Sequence, residues 1–429
     1  MAPDISKISL KNILLSALLI RLLLVIFSGF HPDLLNHLDW GNRFLDLGPK
    51  KFYENIFWGV SWPNQPLGSI LLFAFCAFIK KNIFSSILFL NQSFTFFPSF
   101  IIPFLEKNLH IWLVKLPFIL ADIGLGFLIY RIVINFKPKF ATLAASFFLF
   151  NPAIIYNSTI WGQTDSLINL LALSGLYLVF KRHYFSGVIL FLSTFLFKLS
   201  LIIYLPVLGL IFLKRIKDWK HFLLPLISFS LFAYLLAIPF TFGHHHPFQW
   251  LWYMYTNRVL VRQGSMLNGN AFNLWALIFS IDLSKSEFGQ FSGLSYQFIG
   301  RLLYLIFLIP IWVKFFNRKL NLTNIFNVLI LSAFGSFIFL TNMHERYLYP
   351  IIPVIATLIY LPKTFFKIKD LIILSVIHFL NLYNLWFYPT IPFLKNLLIT
   401  FNFSFCRLLS LILIIICGRY LIKYLHCES

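Results

Sequence analysis

Long apolar runs dominate the chain and constrain its fold more than any motif does. Crossing the hydrocarbon core of a bilayer takes about 20 residues of α-helix, and the sequence holds about fourteen apolar runs that approach this length. They lie near residues 8–30, 66–79, 83–104, 112–134, 139–157, 166–180, 184–198, 199–213, 221–241, 296–313, 324–341, 346–362, 370–389 and 396–418. A soluble domain cannot bury a composition that is 59% hydrophobic and 11% charged. The sequence therefore predicts an all-α integral membrane protein with roughly 11–14 transmembrane helices.

The distribution of basic residues predicts how the chain is oriented. The net charge is +21, and clusters such as Lys80–Lys81, Lys181–Arg182 and Lys214–Arg215 follow alternate apolar runs. Loops on the cytoplasmic side of membrane proteins carry an excess of Lys and Arg. We therefore expect these clusters and both termini to lie inside, and the positive charge does not indicate nucleic acid. The four cysteines are scattered and form no metal-binding or redox motif.

Residues 1–429 are expected to form a single polytopic domain with two long segments on the outer side of the membrane. The first outer loop, residues 31–65, has amphipathic pieces that suit helices lying in the interface. The second outer loop, residues 242–295, contains the triplet His244–His246. Three consecutive side chains cannot all face one ion, so a solvated loop is favoured over a metal site.

Polar residues of unusual type collect on that same outer side. A set of cations, an imidazole and carboxylates on one face of a membrane protein predicts a site. Its members are Asp33, Asp165, Lys198, Arg258, Arg262, His344, Glu345 and Arg346. Asp122 falls inside an apolar run instead, where a carboxylate is costly. For Asp122 a structural pairing, with Lys115 or a helix terminus, is favoured.

This set of residues suits the transfer of a sugar from a lipid phosphate. Cations at the interface would hold the phosphate leaving group, and a single carboxylate would deprotonate an acceptor hydroxyl. Tryptophans such as Trp40 would stack on sugar faces. No Gly-rich nucleotide-binding loop is present. Each residue also has a simpler interpretation: Asp33 as a helix N-cap, tryptophans as interface anchors, and Arg258 and Arg262 as contacts to anionic lipid.

Seven short motifs follow one another between about residues 30 and 350 in a recognisable order. They read "DLLNHLDWGNRFLDLGPKKFY", "WGVSWPNQPLG", "KLPFILAD", "NPAIIYNSTIWGQTDS", "FKLSLIIYLP", "GNAFNLW" and "MHERYLYP". This order resembles that of polytopic GT-C glycosyltransferases that use polyprenyl-phosphate sugars. It is most similar to prokaryotic relatives of the GPI-anchor second mannosyltransferase and to dolichyl-phosphate-glucose-dependent glucosyltransferases. In this chain "WPNQP" stands where relatives have Tyr-Pro-Pro, which concerns the choice of donor sugar.

The resemblance implies roles for individual residues. Asp33, rather than Asp39, takes the place of the catalytic base, and His344 lies near the reacting groups. Donor-phosphate contacts are expected from Arg262, Lys198, Arg346 and Arg258. Sugar or acceptor contacts are expected from Trp40, Trp161, Gln163, Asp165, Glu345 and Asn273. Neither a cofactor nor a metal ion is expected.

The sequence therefore predicts a hexosyltransferase that works on the extracytoplasmic face, with mannose favoured over glucose. Its expected partners are a polyprenyl-phosphate sugar donor, membrane lipids and a glycan, lipid or protein acceptor. A multi-pass transporter or lipid flippase is the alternative from a different class, and an O-antigen-type polymerase or ligase is a third. The abundance of Phe, Ile, Leu, Lys and Asn is typical of an AT-rich genome. It favours a prokaryotic cell membrane over the endoplasmic reticulum.

Overall fold

The computed structural model describes residues 9–27, 31–55, 61–215, 219–241, 246–260, 265–400 and 402–426. About three quarters of this part of the chain is helical. Its first nine α-helices are α1 (Leu10–Leu24), α2 (Pro32–Phe52), α3 (Leu67–Ser93), α4 (Ile101–Val133), α5 (Ala141–Leu149), α6 (Pro152–Ile155), α7 (Asp165–Phe180), α8 (Tyr184–Phe197) and α9 (Leu205–Arg215). The second nine are α10 (Lys220–Thr241), α11 (Pro247–Met254), α12 (Leu274–Phe279), α13 (Tyr296–Asn317), α14 (Leu322–Phe339), α15 (Ile351–Leu358), α16 (Ile368–Tyr383), α17 (Pro392–Thr400) and α18 (Asn402–His426).

Short pieces of other structure connect these helices. The 3₁₀-helices are Pro138–Phe140, Ser200–Tyr204 and Glu345–Leu348, and the π-helices are Tyr156–Trp161 and Tyr255–Val259. Two strands, β1 (Gln290–Phe291) and β2 (Leu294–Ser295), pair antiparallel in the second outer loop. Ser292 and Gly293 join them, and both have positive φ, as a two-residue hairpin turn requires.

The fold class predicted from hydropathy is confirmed. Among the described residues, six helices are long and apolar enough to cross a membrane, or seven spans if a bent pair covering 138–161 is counted as one. Several other predicted spans correspond to shorter apolar helices such as α7 and α8. The structure therefore supports a multi-pass protein, and 11–14 crossings stays a prediction.

The spanning helices differ in how much of their surface the protein covers. In α14, 89% of the apolar window is buried, against 11% in α10. Side chains such as Ile227 and Leu231 of α10 are more than half exposed. A continuous apolar face of this size requires a lipid environment. The core thus centres on α14 with α4, α5, α7 and α15, and α10 lies at the lipid boundary.

One predicted boundary was wrong. Lys80 and Lys81 were assigned to an inside loop between two spans, but they lie within the continuous helix α3. Lysine is a good helix former, and no Gly or Pro interrupts the chain from Ser69 to Phe97. The turn falls instead at residues 94–100, which include Pro98. Helix α4 then begins at Ile101 and runs for 33 residues, about 50 Å at 1.5 Å per residue.

The predicted partner of Asp122 was also wrong. Arg21 of α1, not Lys115, pairs with Asp122, with 3.0 Å between Nε and Oδ2, and neither side chain is exposed. Lys115 donates to the backbone oxygen of Phe27 instead, at 2.7 Å. The expected pairing of this carboxylate is thus present, but helix packing decides which of two cations provides it.

Candidate active site

The start of α2 fixes the position of Asp33. His31 is the N-cap residue in an extended conformation, and Pro32 occupies the first helical position, where a missing N–H costs nothing. The Nδ1 atom of His31 accepts from the backbone N–H of Asp33 at 3.1 Å. Asp33 therefore lies in the first turn, where the helix dipole favours a carboxylate. Its side chain is 28% exposed, so water and ligands reach it.

The partners of the Asp33 carboxylate come from two remote segments. Gln163 donates its Nε2–H to Oδ2 at 2.6 Å, and Nη1 of Arg346 lies 3.2 Å from the same oxygen. The Nδ1 atom of His31 is 3.7 Å away. The structure thus brings together three motifs that are separated by more than a hundred residues in sequence. The guanidinium of Arg346 is 13% exposed, so the ion pair lies at the edge of the protein interior.

A break in helical geometry directs Gln163 toward Asp33. The π-helix Tyr156–Trp161 ends at Gly162, which has φ of +83°. A Cβ at position 162 would lie 3.2 Å from atoms of both Leu34 and Lys115. Glycine is thus required by conformation and by space. π-Helical turns often mark functional sites, and this one places Trp161 and Gln163 on either side of the turn.

The second outer loop holds His344 in place. The backbone N–H of Gly269 donates to the Met343 oxygen, and that of Asn342 donates to the Leu267 oxygen, both at 2.9 Å. A Cβ at Gly269 would lie 2.9 Å from ring atoms of His344, so the imidazole packs directly on this glycine. The His344 ring centre lies 5.5 Å from that of Tyr347, and the Arg346 Cζ lies 5.6 Å from the same Tyr347 ring, so His344 and Arg346 share a neighbour.

Burial and neighbouring charges set the protonation states at the site. Burial lowers the pKa of His344 to about 3, helped by Arg346, and it lowers that of His31 to about 3 as well. Both imidazoles are therefore neutral at pH 7. Burial would raise the pKa of Asp33, but the Arg346 guanidinium, the nearby imidazoles and the Gln163 amide together hold it well below its usual range. Burial raises the pKa of Glu345 to about 7 against the opposing effect of Arg346.

Lys198 and Asp165 form a second ion pair beside the first. Nζ of Lys198 lies 2.7 Å from Oδ1 of Asp165, and the two side chains are 10% and 4% exposed. Asn157 donates to the other carboxylate oxygen at 3.4 Å. Lys198 also lies 5.6 Å from the centre of the Tyr347 ring. Asp165 is therefore turned inward, toward Lys198, and little of its carboxylate is open to a sugar, contrary to expectation.

Other predicted site residues lie elsewhere. Trp40 is 2% exposed, donates its indole N–H to the Ser61 oxygen and packs in an apolar cluster with Phe73, so its ring cannot receive a sugar. Asn273 is fully buried because its side chain caps α12. Each side chain is thus used in packing or capping in this structure, and the two assignments to sugar binding stay predictions.

Two of the predicted phosphate-binding residues are not part of the described cluster. Arg258 is half-buried on the π-helix Tyr255–Val259, and within the described ranges no ion pair joins it to Asp33 or Asp165. Arg262 lies outside the described residues. Trp161 and Glu345, by contrast, adjoin Arg346: its Cζ lies 5.8 Å from the Trp161 ring centre, and Nη1 lies 3.8 Å from Glu345.

The structure adds aromatic residues that the sequence did not single out. The His31 ring lies 4.2 Å from that of Trp161 and 3.9 Å from that of Trp386, centre to centre. Trp386 follows α16, outside every motif. The sequence His-Pro-Asp is a recognisable helix start, so the place of His31 was predictable in principle. That of Trp386 depends on tertiary packing alone.

Comparison with known proteins does not extend these observations. No family model matches the chain, and no curated protein matches it at a significant level.

Proposed function

We propose that the protein is a membrane glycosyltransferase that moves a hexose from a polyprenyl-phosphate donor to an acceptor hydroxyl on the extracytoplasmic face. Mannose is the favoured sugar and glucose the second. One observation carries the proposal: Asp33 is a partly exposed carboxylate held by Gln163 and Arg346 at the edge of a helical membrane domain. A base, a cation for phosphate and adjoining aromatic rings are the groups that this transfer needs.

Asp33 is proposed to take the proton from the acceptor hydroxyl as its oxygen attacks the anomeric carbon. The bond from that carbon to the phosphate oxygen breaks at the same time, and the electron pair leaves with the phosphate. A direct displacement of this kind inverts the anomeric centre. Lys198 and Arg346 are proposed to hold the departing phosphate, since fixed cations stabilise charge where it develops.

Arg346 has a second part in this scheme. In the structure it pairs with Asp33, and this pairing makes the carboxylate a weak base, since Arg346 lowers its pKa. A donor phosphate competes for the same guanidinium. Binding of donor would therefore restore basicity to Asp33 at the moment when an acceptor proton has to be removed.

A transporter is less well supported by the arrangement of charges. A translocation path for ions or polar solutes needs ionisable groups distributed through the depth of the membrane. Here Asp33, Lys198, Glu345 and Arg346 meet in one cluster, and the buried Asp122 is fully engaged by protein partners. A single cluster of charged groups suits an active site better than a translocation path.

The test is transfer by the full chain in proteoliposomes with labelled polyprenyl-phosphate mannose and glucose. Asp33→Asn should lower kcat/KM by about a thousandfold, the loss expected for a general base, with no change in melting temperature beyond about 2 °C. Asp39→Asn is the matched control on the same helix, because Asp39 pairs with Arg43 at 2.5 Å on the surface of α2. It should keep activity within about twofold.

Two outcomes contradict the proposal. Full activity in Asp33→Asn would remove the role given to this carboxylate. Movement of lipid or solute by the wild-type protein without any sugar transfer would assign it to the transporters.

A further inference from the structure

The turn after α16 is strained in a way that presents a single side chain, Trp386. Leu385 and Phe387 on either side of it have φ of +70° and +49°. Side chains larger than glycine rarely adopt this conformation, and such strain tends to persist where function requires it. Trp386 lies between these two residues.

Buried amides hold this turn against the second outer loop. Nδ2 of Asn384 donates to Oδ1 of Asn270 at 2.7 Å, and Nδ2 of Asn270 donates to the Asn384 oxygen at 3.0 Å. Asn381 donates to the Asn270 oxygen at 2.6 Å. The loop that supports His344 through Gly269 thus also fixes Asn384, two residues before Trp386. The same loop therefore positions the segment that carries His344 and the turn that carries Trp386.

Trp386 completes a continuous aromatic surface, here called the aromatic wall, formed by His31, Trp161 and Trp386. The Trp161 and Trp386 rings lie 6.1 Å apart, and His31 contacts both. Trp161 is 3% exposed, whereas Trp386 is half-buried, so Trp386 offers the accessible ring.

The aromatic wall adjoins the proposed base. The backbone N–H of Asp33 is bonded to His31, so an acceptor whose hydroxyl reaches Asp33 has to lie close to the wall. A pyranose has an apolar face of C–H groups and an edge of hydroxyls. Aromatic rings bind such a face, and nearby carboxylates and amides bind such an edge. Asp33, whose side chain is 28% exposed, supplies such a group.

We infer that the acceptor is a carbohydrate, whose terminal pyranose ring stacks on Trp386 of the aromatic wall with its reacting hydroxyl toward Asp33. This inference rests on the proposed function and narrows it. A serine or threonine of a protein, or the alcohol of a polyprenol, has no ring for this surface. Lys198 and Arg346 remain available to bind the donor phosphate.

The first measurement is steady-state transfer from polyprenyl-phosphate mannose to short manno-oligosaccharides, to a Ser/Thr peptide and to a polyprenol. Trp386→Ala should raise KM for the oligosaccharide about tenfold, while kcat and the donor KM stay within about twofold. Trp386→Phe keeps an aromatic ring and should raise KM for the oligosaccharide only roughly two- to threefold. Trp252→Ala is the matched control, since Trp252 is 73% exposed on α11.

The second measurement is independent of catalysis: saturation-transfer NMR of mannobiose with the full chain in nanodiscs. Binding should be lost in Trp386→Ala and kept in Trp252→Ala. If the wild type transfers no sugar but binds mannobiose through Trp386, the proposed function fails and the sugar-binding wall stands. Equal binding by Trp386→Ala, a rise in the donor KM instead, or transfer only to peptide or polyprenol overturns the inference.

Discussion

Two carboxylate–guanidinium pairs of similar geometry contact the same segments of the chain and differ mainly in access to water. Arg21 and Asp122 are 3.0 Å apart and fully buried. Arg346 and Asp33 are 3.2 Å apart, with 13% and 28% of their side chains exposed. The free energy of an ion pair depends strongly on its surroundings. These two pairs are therefore suited to different tasks.

The buried pair is saturated by protein groups. Ser158 donates to Oδ2 of Asp122 at 2.5 Å, and Ser166 and Tyr349 donate to Oδ1 at 2.6 and 3.0 Å. Each of these residues lies within three positions of a site residue, namely Trp161, Asp165 or Arg346. The cluster around Asp122 thus fixes the segments that carry the site. It leaves no oxygen for a substrate, whereas Asp33 keeps an accessible face.

The largest expected effect comes from breaking the buried pair. Asp122→Asn leaves the Arg21 guanidinium inside the protein without a counter-charge, and such losses cost about 3–5 kcal/mol of stability. We expect a clear fall in melting temperature and in the yield of monodisperse protein, measured by thermal unfolding and size-exclusion chromatography. The double variant Arg21→Leu with Asp122→Leu should recover part of the loss, because no charge is then stranded.

Asp33→Asn is the reference for this comparison. Its pair is partly hydrated, so its melting temperature should change far less than that of Asp122→Asn. Equal destabilisation by the two substitutions would break the distinction between a structural and a reactive pair.

An intermediate effect is expected when the accessible pair loses its cation. In Arg346→Gln the burial of Asp33 is opposed by fewer positive charges, so the pKa of Asp33 rises. The acid limb of kcat/KM for the acceptor, measured with donor well below its KM so that Arg346 still pairs with Asp33, should move up by at least about one pH unit. A lowered carboxylate pKa contributes stability that is lost as the pH falls. In Arg346→Gln the pKa of Asp33 is less depressed, so the free energy of unfolding should fall less steeply at acidic pH than in the wild type.

Arg346→Lys separates charge from other effects. It keeps a cation near Asp33, and its acid limb should stay close to that of the wild type even if donor affinity falls. An unshifted acid limb in Arg346→Gln would show that Arg346 does not control the ionisation of Asp33.

Sequence predicts the membrane class because apolar length is a local property. It does not predict where α3 ends and α4 begins. The two lysines at positions 80 and 81 are typical of a loop between spans, but they also fit within a helix. Nor can the sequence select Arg21 over Lys115 as the partner of Asp122. The two residues of that pair are 101 positions apart, and only the packing of α1 on α4 decides between the cations.

The candidate site was predictable where chemistry and motif coincide. Asp33, Gln163 and Arg346 were all named from sequence, and the structure brings them into contact. For Trp40 and Asn273 the structure shows packing and capping instead of an open sugar contact, because a tryptophan or an asparagine in a motif serves these roles as readily as binding. Trp386 was missed because its position depends on a turn with positive φ at Leu385 and Phe387. Leucine and phenylalanine rarely adopt positive φ, so the sequence does not predict this turn.

The smallest expected effect concerns Glu345, which lies 3.8 Å from Arg346 at the edge of the accessible pair. Its pKa is raised from 4.5 to about 7, chiefly by burial. Between these two pH values the folded protein therefore binds a proton that the unfolded chain releases, and stability decreases as the pH rises through this interval. Glu345→Gln cannot titrate and should lack this decrease.

Other groups titrate in the same range, so the measurement is a difference. His31 and His344 have lowered pKa values, and they contribute a slope of the opposite sign, because the unfolded chain binds their protons more tightly. Subtracting the melting temperatures of Glu345→Gln from those of the wild type at each pH from 4.5 to 7.5 cancels that slope. Glu106→Gln, at an exposed position of α4, is the control and should give a flat difference.

A flat difference for Glu345→Gln as well would mean that Glu345 is already ionised at pH 5. The Arg346 guanidinium would then be shared equally by both carboxylates, and the accessible pair would be as fully engaged as the buried one.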